Sequence, residues 1–262
     1  MMKPIVLKAG RLGMADLRRI AARPVPFSLA RGWRAKVEKA ARVIQRVLAR
    51  DEAVYGINTG FGRLAQTRIE AGDLCQLQRN LVLSHCTGTG PLLDDDTVRL
   101  VLALKINCLA QGRSGVRPEL IEALLRLLEA EVYPCLPAKG SVGASGDLAP
   151  LAHLAVALIG VGDVRLDGAT LTAADALEHL GLAPLVLAPK EGLAMVNGTQ
   201  VSLALALEGL FAFEDAFAAA IVAGALSVEA ALGSAGPFDP RIHGLRGQRG
   251  QADIAAVYLG LL

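Results

Sequence analysis

The sequence predicts a mainly α-helical protein: an N-terminal domain with a few short strands, leading into a long-helix bundle. Three observations carry this. Apolar residues recur at three- and four-residue spacing through most of the chain, the period of a helix with one buried face. Strand-like runs are few and short. From Asn197 to about Leu232 the chain is one long Ala- and Leu-rich stretch, with Gly209 and Gly224 inside it. A boundary at 196/197 therefore separates an N-terminal domain, 1–196, from a bundle segment, 197–262.

Taken in order, Pro4–Lys8 opens the chain as a strand candidate. A basic helix follows, in which Arg34, Lys36, Lys39, Arg42, Arg46 and Arg50 alternate with Val37, Ala40, Val43, Ile44, Val47 and Leu48. Residues 1–50 hold 13 Lys and Arg against Asp16 and Glu38, and the rest of the chain holds 14 against 23 acids. A basic arm of this kind can meet nucleic acid. The alternation instead reads as a solvated helix face, and neither interleaved aromatics nor an RNA-binding signature accompanies the charge, so no nucleic-acid partner is expected. Glu52–Tyr55 is a second strand candidate. Asp94, Asp95 and Asp96 can cap a helix carrying Val98, Val101, Leu102, Lys105, Ile106 and Leu109, stopping near Gly112. Pro118 opens another, with Leu120, Ile121, Leu124, Leu125 and Leu128 on its apolar side. Val164–Leu166 and Leu185–Leu187 complete the strand candidates.

With 53% hydrophobic residues and a net charge of +2, the composition excludes a disordered chain. The longest uncharged run, Gly192–Leu207, contains Asn197, Thr199 and Gln200 and falls short of the roughly 20 apolar residues of a spanning helix, so no membrane association is expected. Cys75, Cys86, Cys108 and Cys135 form no CxxC pair and read as reduced thiols. With no signal-peptide pattern at the start, a cytoplasmic location is expected. The four histidines are scattered, so no metal site is expected; GxxxxGK[ST], strand-linked GxGxxG, HExxH and GxSxG are all absent, which removes the usual nucleotide and nucleophile motifs.

Three polar, Gly-bearing interruptions remain: Tyr55-Gly-Ile-Asn-Thr-Gly-Phe-Gly62, Gly140-Ser-Val-Gly-Ala-Ser-Gly-Asp147 and Glu191-Gly-Leu-Ala-Met-Val-Asn-Gly-Thr-Gln200. Such loops are where function concentrates. The second offers unusual chemistry. Attack of the Gly146 amide nitrogen on the Ala144 carbonyl carbon closes a five-membered ring. Loss of one water there and another from Ser145 leaves an imidazolone with an exocyclic methylidene, an electrophile no ordinary side chain supplies. A Cβ at position 146 would obstruct the closure. Asp147 is placed to cap the helix that follows, with Pro150 in its first turn.

The string GSVGASGDLAPLAHLA resembles the prosthetic-group segment of the aromatic amino acid ammonia-lyase family, whose members carry 4-methylideneimidazol-5-one (MIO). YGINTGFG resembles that family's tyrosine loop and EGLAMVNGTQ its asparagine segment. The resemblance implies that Ala144, Ser145 and Gly146 form MIO, with no metal or nucleotide. It implies that Tyr55 is the base acting on the substrate β-carbon and that Asn197 helps hold the substrate. A phenol serves as such a base near neutral pH only where its surroundings favour the phenolate. In Asn80-Leu-Val-Leu-Ser-His-Cys-Thr-Gly88, the pair Ser84-His85 resembles the histidine-specific branch, whereas tyrosine-specific members tend to show His-Leu and plant phenylalanine-specific ones a Phe-Leu type pair. This implies that His85 binds a histidine imidazole, with L-histidine as substrate and urocanate as product. The alternatives are phenylalanine or tyrosine lyase, an aminomutase, or a non-catalytic or split subunit.

The resemblance runs from about Ile5 to Leu262, and family members are longer. It implies a truncated chain, inactive alone, in which the second tyrosine loop, the carboxylate-pairing arginine and the glutamate near the substrate side chain would lie beyond Leu262. It also implies a homotetramer whose active sites draw on several chains, or a missing C-terminal half.

Overall fold

A computed structural model describes residues 3–50, 52–143 and 145–262, and the chain divides into two compact units, 1–206 and 207–262. The first is built around helix α4 (Asp95–Leu109), whose Val98, Leu100, Val101, Leu102, Ala103 and Ile106 are all fully buried. A helix apolar nearly all round belongs at the centre of a core rather than on its surface. Against it pack α1 (Met14–Ala22) and α5 (Pro118–Glu129), the latter starting at the expected proline. The basic α2 (Trp33–Leu48) buries Val37 and Ile44 and turns Arg34, Lys36, Lys39, Arg42 and Arg46 to solvent, as the alternation requires.

Two buried cations sit on α4 and treat their neighbours alike. Arg99 donates to the carbonyls of Ile20 (2.5 Å) and Ala21 (2.9 Å) at the C-terminal end of α1. Lys105, one helical face further on, does the same for another helix. Cations at helix C-termini satisfy orphan carbonyls and meet the negative end of the helix dipole.

Strands are short. β1 (Ile5–Leu7) pairs in parallel with β2 (Phe27–Leu29), and β4 (Tyr133–Pro134), β6 (Asp163–Leu166) and β7 (Ala169–Thr172) make a three-stranded antiparallel sheet. The antiparallel pair β3 (Thr89–Leu92) and β5 (Pro137–Lys139) matters most for the site. Its register sets Thr89 opposite Lys139, so Gly88 and Gly140, one residue beyond each, come together: a Cβ on Gly140 would lie 3.1 Å from the Gly88 Cα.

Two expected strands are absent among the described residues. At 52–55, Asn58 takes the partners a neighbouring strand would take: its Oδ1 accepts from Val54 N (2.7 Å) and its Nδ2 donates to Glu52 O (2.8 Å), which folds the chain into a turn. At 185–187, Leu185 N donates to the Leu158 carbonyl and Val186 O accepts from Arg117, so both backbone groups serve helix ends and a side chain. The segment read as an open loop from Glu191 is a short helix, α8 (Glu191–Val196), and α9 (Gln200–Ala230) begins only after a break at 197–199.

By length and composition, the helical run 191–230 is long and apolar enough to cross a membrane, and little of its most apolar 18-residue window is buried. Along α9, Leu210, Phe213, Phe217, Val222 and Leu226 stand exposed. In the second unit, α10 (Pro240–Arg246) and α11 (Arg249–Leu261) close on a stacked Phe238–Tyr258 pair, and His243 is held between Pro237 O and Gln251.

Candidate active site

The segment 140–147 leaves β5 and enters α6 (Leu148–Leu158), an almost wholly buried helix. Ala144 lies outside the described residues. Ser145 adopts φ +68°, a left-handed conformation that a non-glycine residue holds only when its surroundings enforce it. Asn197 is the enforcing neighbour: its Nδ2 donates to the Ser145 carbonyl at 2.6 Å and to the Ser145 hydroxyl at 3.3 Å. Gly146, at φ +117°, presses on the next residue of that segment; a Cβ there would lie 2.6 Å from the Gly198 carbonyl oxygen and 2.7 Å from its nitrogen. Asp147 N then donates to Gly198 O at 2.7 Å. The loops at 140–147 and 197–198 are thus locked face to face.

Asp147 occupies the cap position of α6, but its side chain does not cap that helix. The buried carboxylate accepts from Ser141 Oγ (2.7 Å) and Ser202 N (2.8 Å), and also from the Ser202 hydroxyl. Ser202 lies in the first turn of α9, so Asp147 satisfies the N-terminus of a helix distant in sequence. The expectation of a local cap is corrected: with Ser202 available, the carboxylate reaches a charge-assisted pair of donors instead.

His85 ends α3 (Leu74–His85) and is half-buried, with Nδ1 2.8 Å from the Leu81 carbonyl and 3.3 Å from the Ser84 hydroxyl. That leaves Nε2 as the ring nitrogen able to meet a ligand. Three residues on, Gly88 N donates to His153 Nε2 of α6 at 3.1 Å, and burial holds the His153 imidazole below its ordinary pKa, in keeping with an accepting neutral ring. Tyr55 is 57% exposed, with its ring edge-on to Phe61 at 5.9 Å. Its loop lies on α8, where Gly56 abuts Leu193. The structure thus joins Asn197 to Ser145 directly and carries the 85–88 segment beside 140. The loop that carries Tyr55 meets the group through α8, on which Gly56 rests.

That helix, α8, proves central although sequence reasoning passed over most of its supports. Gly192 packs on Gln78 of α3, where a Cβ would meet the Gln78 carbonyl at 2.8 Å. Glu191, 1% exposed, accepts from Arg117 N, Nε and Nη2 and from Ala188 N, at 2.8 to 3.0 Å. From below, Lys105 Nζ donates to Ala194 O at 2.8 Å and Asn197 O at 3.5 Å. Burial lowers the Lys105 pKa to about 8, against smaller raising effects of Cys108 and Asp147. The available signal was a lysine on an otherwise apolar helical stripe.

Residues 12–262 match the family model for aromatic amino acid lyase, and the chain belongs to that family. It is 54% identical over 258 residues to a histidine ammonia-lyase of Vibrio vulnificus, covering 98% of this chain and 50% of that protein. It is 56% identical over 253 residues to a histidine ammonia-lyase of Aliivibrio fischeri, covering 97% and 50%. Among solved structures, it superposes on the histidine ammonia-lyase of Trypanosoma cruzi with a TM-score of 0.90 at 34% identity, over 97% of this chain and 50% of that one. It matches tyrosine aminomutase from Streptomyces globisporus equally well, at 0.90 and 36%, over 98% and 48%. The chain spans about half the length of the curated relatives it matches.

Proposed function

We propose that this chain is the MIO-bearing part of a histidine ammonia-lyase, which removes ammonia from L-histidine to give urocanate. The observation that carries the reading is the lock between the two loops, with Asn197 on both Ser145 oxygens and Gly146 against Gly198. These residues fit the prosthetic group. Closure joins Gly146 N to the Ala144 carbonyl carbon; that carbonyl oxygen leaves as water with the Ser145 and Gly146 amide hydrogens, and the Ser145 hydroxyl leaves with its Cα hydrogen. The group supplies an electrophilic methylidene carbon to a substrate amine.

The chain's own residues have separable tasks. Asn197 donates to the Ser145 carbonyl oxygen, which stays conjugated to the methylidene, so this hydrogen bond draws electron density from the electrophile. Asp147 holds Ser141 and Ser202, and so ties the start of its own loop to the N-terminus of α9. His85 presents Nε2 toward a substrate ring, and Tyr55 takes the β-proton. Of fold neighbours that match alike, aminomutases and lyases differ in what they do with one scaffold, so the fold leaves the substrate open. The Ser84-His85 pair and the identity to histidine ammonia-lyases favour histidine. Residues 1–196 are the domain that carries the ring, and 197–262 begin the bundle. The exposed apolar side of α9 supports burial in a homo-oligomer or against a C-terminal half. A cytoplasmic location accompanies this reading.

The test is urocanate and ammonia release from L-histidine, with phenylalanine and tyrosine as competing substrates, by this chain together with the C-terminal half of a relative. Turnover of histidine in preference to both is expected. Preference for either competitor would overturn the substrate assignment.

A further inference from the structure

Lys105 is, at 1% exposure, as deeply buried as Asp147 and Glu191, and unlike Asp147 it has no part in the chemistry above. Among the described residues no carboxylate is in ion-pair contact with it, although Cys108 and Asp147 favour its charge from further off; its hydrogen bonds go to two backbone carbonyls, Ala194 O and Asn197 O, at the C-terminal end of α8. Placing an ammonium in a core is costly, and an apolar side chain of similar length would fill the same space without that cost. Stability alone therefore does not explain a lysine here. Its position does. Asn197 is the residue after α8, and its backbone carbonyl meets Lys105 while its side-chain amide meets Ser145. The helix has only six residues, too short to fix its own end. Arg117 and Glu191 tie down its start, and Lys105 ties down its finish.

We propose that Lys105 is a positioning residue of the active site: its buried ammonium clamps the last carbonyls of α8 so that the Asn197 amide is aimed at Ser145. This rests on the roles given above to Asn197 and Ser145, and it adds a residue two layers from the substrate whose loss acts through Asn197.

The test replaces Lys105 with Met, which keeps the volume and removes the donors. Hydrogen exchange of the Asn197 side-chain amide is followed by NMR in the 262-residue chain, with the Leu151 backbone amide as a core reference. Exchange at Asn197 should accelerate by about tenfold, the equivalent of one lost hydrogen bond, with Leu151 unchanged. Unchanged exchange at Asn197, or equal acceleration at both, would overturn the proposal. If Lys105→Met does not fold, Lys105→Gln, one bond too short to reach both carbonyls, takes its place under the same criteria. In the active enzyme, Lys105→Met should lower kcat by about tenfold in the parent and by less than twofold on an Asn197→Ala background, because neighbours acting through one contact are not additive. Additive losses would mark Lys105 as a general core residue. A parent protein that never loses water at 144–146 would refute the lyase reading, while the exchange measurement would still decide the role of Lys105.

Discussion

Gly146→Ala is the substitution for which the structure gives the clearest magnitude. The residue sits at φ +117°, a region closed to side chains, and the strain of forcing an alanine there is about 1–3 kcal/mol. The new methyl would also lie 2.6 Å and 2.7 Å from the Gly198 oxygen and nitrogen. Both are backbone atoms, anchored through the Asp147 N to Gly198 O bond, so no rotamer change relieves the overlap; a similar overpacking costs about 1–3 kcal/mol. The sum, about 2–6 kcal/mol, is a large part of a domain's usual stability. Urea unfolding followed by circular dichroism should show the midpoint falling by about 1 M or more. Gly143→Ala is the internal control: its φ is +66°, nothing lies within 4 Å of the added Cβ, and a loss of about 1 kcal/mol is expected. If Gly146→Ala unfolds within about 0.5 kcal/mol of the parent, the lock between the loops is looser than described and its claim to enforce ring closure fails.

Other perturbations separate the remaining roles. His85→Leu in the active enzyme should cut histidine turnover about tenfold or more while sparing phenylalanine, since an unsatisfied imidazole partner costs about 1–3 kcal/mol; equal losses would make His85 structural. Asp147→Asn should destabilise the chain by about 1–3 kcal/mol in thermal unfolding, because the neutral amide turns a donor toward Ser141 or Ser202; no change would mean those bonds are not held. For His153, the folded pKa is lowered by burial, so as pH falls below about 6.5 the unfolded chain takes up the proton first and stability drops. Comparing unfolding midpoints at pH 7 and pH 5, the parent should lose more than His153→Gln, and identical losses would contradict the neutral acceptor role.

The long helices were legible because their signals are local: a proline opening α5, the basic and apolar alternation of α2, and the Ala- and Leu-rich run of α9 each report on their own few turns. The short strands were not, because β2, β3 and β5 exist only through partners 22 to 50 residues away, and Asn58 diverted 52–55 by a side-chain bond no periodicity shows. At the candidate site, the motifs single out Ser145, Gly146 and Asn197, and the structure brings these residues together. Their mutual contact depends on Gly198, which carries no chemistry of its own. Asp147 illustrates the limit: position named a local cap, while the buried carboxylate binds the first turn of α9. Lys105 stood in plain view on an apolar stripe, yet its meaning required knowing which helix end it meets.

The central claim is that 140–147 and 197–198 are folded to close a ring at Ala144-Ser145-Gly146. Intact mass of the purified 262-residue chain, followed by mass of the peptide spanning 140–147, tests it most directly. The account predicts a species lighter by two water molecules, with the loss confined to that peptide and abolished by Ser145→Ala. A folded chain of full, undehydrated mass would contradict it.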